Sequence, residues 1–346
     1  MKNNQLNINE NFFIKDINSM NLNINPNIFI KKKILIAGAS GLIGTYFCAF
    51  FISLIQKNFN LEVYALTKKA LPQHLSLFKN IKNFKHIKMD LTKVDDYKKL
   101  PIFDYIIHSA GYAQPSIFMN KPEDTIAVNV LGTSELLKKL KKNGSLLFLS
   151  SYQIYFGTLK KKYIENDCGF SSPSHERACY IEGKRCAEAL CHAYRRKGYN
   201  ISVARLGDIY GPGTKPGDKR AINSFIEQAI KSKKIILRDK GNAKRSYCYI
   251  LDAINVLLKM LINSKETIYN VGSPYFLSIK DVSELICSIT NSKLIIPKNV
   301  NSIIGAPKSL DLDLNKIKKE FGSKKFIDIN EGLKRTILWQ KENIYN

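Results

Sequence analysis

The chain has 346 residues, 45% of them apolar, enough to bury one large core or two modest ones, as in an ordinary soluble globular protein. Its longest apolar stretch, Tyr46–Ile55, is too short to span a bilayer, and Asn-rich Met1–Pro26 lacks the continuous apolar core of a secretory signal. The formal charge of +25 comes from lysine runs scattered along the chain and poorly mixed with aromatics, which argues for compositional bias over a nucleic-acid or membrane surface. That field still favours an anionic substrate such as a nucleoside diphosphate.

In chain order, residues 1–30 read as an N-terminal extension that packs on the surface or stays partly loose. Strand-like segments follow at Lys33–Gly38, Glu62–Thr67, His86–Met89, Tyr105–His108, Leu146–Ser150 and Ser202–Leu206. Helical patterns fall at Ile43–Gln56, Pro122–Lys141 and Tyr180–Lys197. Such alternation implies an α/β fold: a doubly wound parallel sheet covered by helices, with ligands beyond the carboxyl ends of the strands. Residues 31–206 form this unit, and residues 207–346 a smaller substrate-binding lobe partly interleaved with it. A strand returns near Glu266–Val271 and a helix closes the chain at Asn330–Trp339.

Between the first strand and helix lies Gly38-Ala-Ser-Gly41-Leu-Ile-Gly44. A glycine turn opening a helix seats a pyrophosphate on backbone N–H groups and the positive helix end. Gly38 allows the turn, Gly41 lets the phosphates approach, and Gly44 lets helix and strand pack; Ser40, Leu42 and Ile43 complete the expected contacts. Such a Rossmann-type unit binds NAD or NADP. The second strand ends in Thr67 and Lys68 where NAD users place a carboxylate for the ribose, so the expectation leans to NADP, with its 2′-phosphate. Asp90, followed by Leu91, can accept from an adenine amino group or make a turn. Ser109-Ala110-Gly111 lets a cofactor lie against backbone, and Asn129, a poor helix former inside a helix, reads as a buried amide bracing the strand ends.

Tyr180 and Lys184 lie four apart, on one side of a helix. The spacing is cheap, since Tyr64 and Lys68 share it on a strand. Position gives it meaning: the preceding strand ends Phe148-Leu-Ser-Ser151, bringing a hydroxyl beside the phenol. Holding a tyrosine as phenolate at neutral pH costs about 4 kcal/mol. An ammonium roughly 5 Å away offsets about 3 kcal/mol of that, and an oxidised nicotinamide adds a second positive charge. The phenol can then act as a general base. Seven scattered cysteines show no zinc-like spacing, so no metal ligands are assigned and reduced cytoplasmic thiols are expected.

These motifs resemble an extended short-chain dehydrogenase/reductase of the NAD-dependent epimerase/dehydratase family, which acts on sugar nucleotides. The likeness runs from about Lys32 to Trp339. Besides the motifs above it rests on Asn129-Val-Leu-Gly-Thr133, Ser150–Gly157, Arg205-Leu-Gly-Asp-Ile-Tyr-Gly-Pro212, Arg245-Ser-Tyr-Cys-Tyr-Ile-Leu-Asp252 and Tyr269-Asn-Val-Gly272. The stretch Arg177–Glu188 is most similar to UDP-glucuronate decarboxylases and relatives in surface-polysaccharide synthesis. The resemblance implies that Tyr180 takes a proton from the sugar C4 hydroxyl while hydride passes to the nicotinamide. It further implies that Lys184 binds the nicotinamide ribose, that Arg220 and Arg245 hold the diphosphate, and that helices like 122–141 and 180–197 form a homodimer.

Departures from the pattern narrow the expectation. Tyr152 and Gln153 stand where 4,6-dehydratases of the family have Asp-Glu, and decarboxylases have a Glu at the position of Gln153; an amide is neither acid nor base in this range. The sequence Ile154-Tyr-Phe-Gly157 carries an extra residue, so a one-place shift would put Tyr152 where Ser151 is assigned. Asp208 stands where many relatives have an Asn facing the substrate, and a carboxylate there repels a diphosphate. The expected activity is a 4-epimerase or 4-keto-sugar reductase. The alternatives are a decarboxylase or 4,6-dehydratase reaction, or a non-catalytic dinucleotide- or RNA-binding protein whose RNA affinity would fall steeply with salt.

Overall fold

A computed structural model describes residues 11–20, 22–158, 160–298, 309–322 and 325–345. Its strands in chain order are β1 (Lys33–Ala37), β2 (Glu62–Thr67), β3 (Phe84–Lys88), β4 (Phe103–His108), β5 (Leu140–Ser151) and β6 (Asn200–Leu206). They continue as β7 (Asp208–Tyr210), β8 (Lys234–Ile236), β9 (Lys244–Tyr249), β10 (Ile268–Val271) and β11 (Tyr275–Ser278). The main helices are α1 (Phe12–Asn18), α2 (Leu42–Gln56), α3 (Pro122–Lys138), α4 (Ala178–Arg196), α5 (Ala221–Ser232), α6 (Ile250–Asn263) and α7 (Ile329–Gln340).

Seven parallel strands form the central sheet in the order β10-β6-β5-β4-β1-β2-β3. Parallel sheets are covered on both faces, and runs such as Ile34–Ala37 and Leu146–Ser151 are accordingly buried without alternation. The order reverses between β1 and β4, opening a crevice at their carboxyl ends where a ligand can enter. Beyond β6 the chain turns at Gly207 into a second sheet, in which β9 pairs with β7 and β11.

Within the extension, the described stretch Phe12–Asn18 packs as a helix. In Phe12-Phe-Ile-Lys-Asp-Ile-Asn18 the apolar positions share one helix face, and Phe13, Ile14 and Ile17 are buried. Phe13 packs edge-on to Tyr46 (5.4 Å) and Trp339 (6.0 Å), tying α1 to α2 and to the closing helix α7. Tyr46 donates to Asp16 at 2.8 Å. This cover explains why α2 is apolar nearly all round: its outer face meets α1 instead of water. Ile17→Val is expected to cost about 1 kcal/mol in urea unfolding, whereas a strap lying in solvent would lose nothing measurable.

Several element boundaries also differ from expectation, two of them with a clear packing cause. Helix α3 stops at Lys138 because Leu140 already pairs with Phe103 across the sheet, leaving Lys141 and Lys142 exposed on β5. Strand β3 starts at Phe84, whose ring packs on Phe78 at 6.0 Å.

Candidate active site

The glycine turn occupies the crevice between β1 and β4. Gly38 has φ +87°, and a Cβ there would lie 2.6 Å from the Ala110 backbone nitrogen. A Cβ on Gly44 would lie 2.3 Å from the Gly38 carbonyl oxygen, so loop and helix touch backbone to backbone. Gly41 caps α2 and has no such crowding: its nearest neighbour would be 3.4 Å away. That open backbone at a helix N-terminus fits an approaching pyrophosphate. Ser109 Oγ donates to the Ala37 carbonyl at 2.8 Å and closes the floor, while Lys215 Nζ reaches Ser40 Oγ at 3.3 Å from the loop after β7.

Next to this cradle lies a cleft of about 690 Å³, part of it open to solvent, into which Ser151, Tyr180 and Lys184 all project. Ser151 ends β5, and its side chain accepts from the Gln153 N–H at 3.2 Å. The Ser151 side chain lies near enough to the Tyr180 phenol to favour its ionised form, and the Tyr180 ring stacks on Phe118 at 4.7 Å. Lys184, one turn further along α4, donates to the Leu149 carbonyl at 2.7 Å. Its ammonium lies 4.6 Å from the Phe148 ring and 5.9 Å from that of Tyr180. One of its three protons is engaged by Leu149, so others remain to donate into the cleft.

The electrostatics of the protein alone run against the expected acidification. Burial holds the Tyr180 phenol above its ordinary value, outweighing the effects of Ser151 and the Arg220 charge. Burial also pulls Lys184 down to about 7, although Glu188 acts in the opposite sense. Both charged forms are poorly solvated here, so burial pushes each group toward its neutral form.

At the adenosine end the expectation of a free cation fails. Lys68 Nζ is paired with Asp90 (2.9 Å) and Asp124 (3.2 Å) and donates to the Tyr112 hydroxyl at 3.3 Å. Asp90 also accepts from the Thr92 N–H (3.1 Å) and hydroxyl (2.9 Å), so it makes a turn as well as an ion pair. Thr67 is buried, its hydroxyl engaged with the Lys69 carbonyl and His86. Leu91 is buried and its carbonyl accepts from Tyr97 at 2.8 Å. Asn129 is fully buried, but its amide nitrogen donates to Thr125 of its own helix at 2.8 Å and braces no strand. Its Oδ1, unpartnered among the described residues, lies 3.8 Å from where a Cβ on Gly111 would be.

Beside Ser151, Asp208 accepts from the Tyr152 hydroxyl at 2.8 Å, and both line the cleft. Arg220 also lines it, its Nε and Nη2 held by Asp218 with a shortest contact of 2.6 Å and its Nη1 outside that pair. Arg245, on β9, acts on the charge of Asp208 and Tyr152 but is not among the lining residues. Sequence reasoning missed the Tyr152–Asp208 pair, since two segments more than fifty residues apart supply it. It also missed Glu188, which continues the Tyr180/Lys184 spacing one further turn and is buried against Arg205 at 2.7 Å. That second residue was open to a longer reading of the same helix face.

Comparison with known proteins adds lineage to this geometry. The sequence profile of the NAD dependent epimerase/dehydratase family matches residues 34–272. UDP-glucuronic acid decarboxylase 3 of Arabidopsis thaliana is 29% identical over 304 residues, covering 87% of this chain and 86% of that protein. Among solved structures, a UDP-glucuronic acid 4-epimerase from Bacillus cereus, in complex with UDP-glucuronic acid and NAD, superposes with a TM-score of 0.76 at 22% identity. It covers 90% of this chain and 99% of its own. A dTDP-glucose 4,6-dehydratase from Bacillus anthracis, in complex with NAD, gives 0.74 at 21% identity, covering 91% and 98%. The two structures share the fold of this chain.

Proposed function

Because the chain belongs to the NAD dependent epimerase/dehydratase family, we propose that it carries out redox chemistry at C4 of a nucleotide sugar through Ser151, Tyr180 and Lys184, as a 4-epimerase or 4-keto-sugar reductase. The observation that carries this reading is the convergence of Ser151, Tyr180 and Lys184 on one cleft beside the glycine cradle. When bound, the nicotinamide supplies a hydride acceptor and a positive charge. Ser151 orients the sugar hydroxyl, Tyr180 takes its proton, and Lys184 holds the nicotinamide ribose with the protons Leu149 leaves free. An added cation favours the phenolate that burial alone disfavours. Arg220 contributes positive charge for the diphosphate, and Arg245 tempers the charge of Asp208.

The decarboxylase reading has the curated relatives in its favour, and Gln153 against it. Mass spectrometry after incubation with UDP-, dTDP-, CDP- and GDP-sugars separates the two. Unchanged mass or a gain of two hydrogens supports the proposal; loss of carbon dioxide overturns it in favour of the decarboxylase.

For the cofactor, the ion pairs of Lys68 turn the lean from NADP to NAD. An adenosine 2′-phosphate would have to compete with Asp90 and Asp124 for that ammonium. In fluorescence titrations NAD is expected to bind at least about tenfold more tightly than NADP, a difference of about 1.4 kcal/mol; the reverse order would restore the NADP assignment. The resemblance also suggests a homodimer through α3 and α4, which sedimentation of the purified protein tests.

A further inference from the structure

Among the residues lining the cleft, Asp208 is the one carboxylate, and no histidine or cysteine accompanies it. Gly207 turns the chain out of β6 immediately past Leu206, the register partner of Ser151, so Asp208 enters the cleft from the wall beside the serine. Tyr152, the residue after Ser151, donates its hydroxyl to Asp208 at 2.8 Å. The charges of Arg220 and Arg245 act on Asp208, which in turn acts on Tyr180 and Tyr247, its register partner on β9. The cleft therefore holds two proton-transfer groups: the phenol of Tyr180 and a carboxyl set against a second phenol. Redox at C4 needs only the first of them.

We propose that Asp208 is a second catalytic acid–base of the cleft, moving the proton on the sugar carbon next to the C4 ketone. The inference rests on the C4 oxidation proposed above. Once the C4 hydroxyl has given its proton to Tyr180 and the C4–H bond has lost its hydride to the nicotinamide, the C3–H and C5–H bonds lie beside a carbonyl. The Asp208 carboxylate takes one of these hydrogens as a proton. The C–H electron pair becomes a C=C bond, and the carbonyl π pair moves onto O4 as an enolate facing Ser151 and Tyr180. Return of the proton to carbon reverses the step, with no net oxidation. Burial holds the Asp208 carboxyl above its ordinary value, against the lowering effects of Arg245, Tyr152 and Arg220, which makes it a stronger base than an exposed aspartate.

The test incubates the NAD-loaded protein with UDP-glucuronate and with UDP-glucose in deuterated water. It follows nicotinamide reduction by fluorescence and carbon-bound deuterium by NMR. Deuterium is expected at C3 or C5. Asp208→Asn keeps an acceptor for Tyr152 but cannot take a proton, so the ratio of exchange to nicotinamide reduction should fall at least about a hundredfold. Tyr152→Phe keeps the carboxyl and should hold that ratio within about tenfold. Reduction without deuterium, or exchange by Asp208→Asn at the unmutated ratio, overturns this inference alone. A loss in Tyr152→Phe as deep as in Asp208→Asn moves the proton transfer to the phenol and overturns it too. Absence of nicotinamide reduction with either sugar overturns the C4 reading and this one with it.

Discussion

Tyr180→Phe is expected to lower kcat about a thousandfold while leaving NAD affinity within about twofold. The substitution removes one oxygen. The ring keeps its stacking on Phe118, 4.7 Å away, and α4 keeps its packing, so neither the fold nor the glycine cradle is disturbed. What is lost is the phenol hydroxyl on the ring that lines the cleft with Ser151 and lies 5.9 Å from the Lys184 ammonium. A substrate alcohol then loses the phenol as its proton acceptor; Ser151 is a neutral hydroxyl, and Lys184 is engaged with the Leu149 carbonyl. Turnover numbers with saturating sugar nucleotide and a fluorescence titration of NAD make the two measurements. A variant that turns over at more than about a tenth of the original rate would remove Tyr180 from the base role. Weakened NAD binding with little change in kcat would instead make it a cofactor-packing residue.

Whether each part could be read from sequence follows from how local its cause is. The glycine turn was legible because its three glycines answer to contacts within one loop and its neighbour, such as Gly44 against Gly38. Tyr180 and Lys184 were legible because one helical turn sets their relation. Lys68 was misread because its partners Asp90 and Asp124 come from two other segments, and a lysine at a strand end looks free until those segments converge. The Tyr152–Asp208 pair was hidden for the same reason, compounded by the chain leaving one sheet for another at Gly207. Helix α1 was missed because an Asn-rich composition, averaged over the first thirty residues, masked a short amphipathic stretch.

The buried pair beneath the site carries the largest expected effect on stability. Glu188 and Arg205 are both under a tenth exposed, and the guanidinium meets the carboxylate through Nε at 3.2 Å and Nη2 at 2.7 Å. Arg205 Nη1 continues to the Tyr155 hydroxyl (2.9 Å) and the Glu165 carbonyl (2.8 Å), and Ser150 Oγ donates to Glu188 at 2.5 Å. The network therefore joins β5, α4 and β6 directly under Ser151 and one turn from Lys184. Glu188→Ala should destabilise the protein by about 3–5 kcal/mol, because the guanidinium stays buried with no counter-charge. Of a typical total of about 5–15 kcal/mol, that is enough to leave a marginal fold. Replacing both residues by Met should cost less than Glu188→Ala alone, since an apolar pair leaves no orphaned charge. Urea unfolding of the single and double variants measures this directly. A single-variant loss below about 1 kcal/mol would mean that water reaches the guanidinium, and that Lys184 and Ser151 are positioned by backbone pairing without help from the charges beneath them.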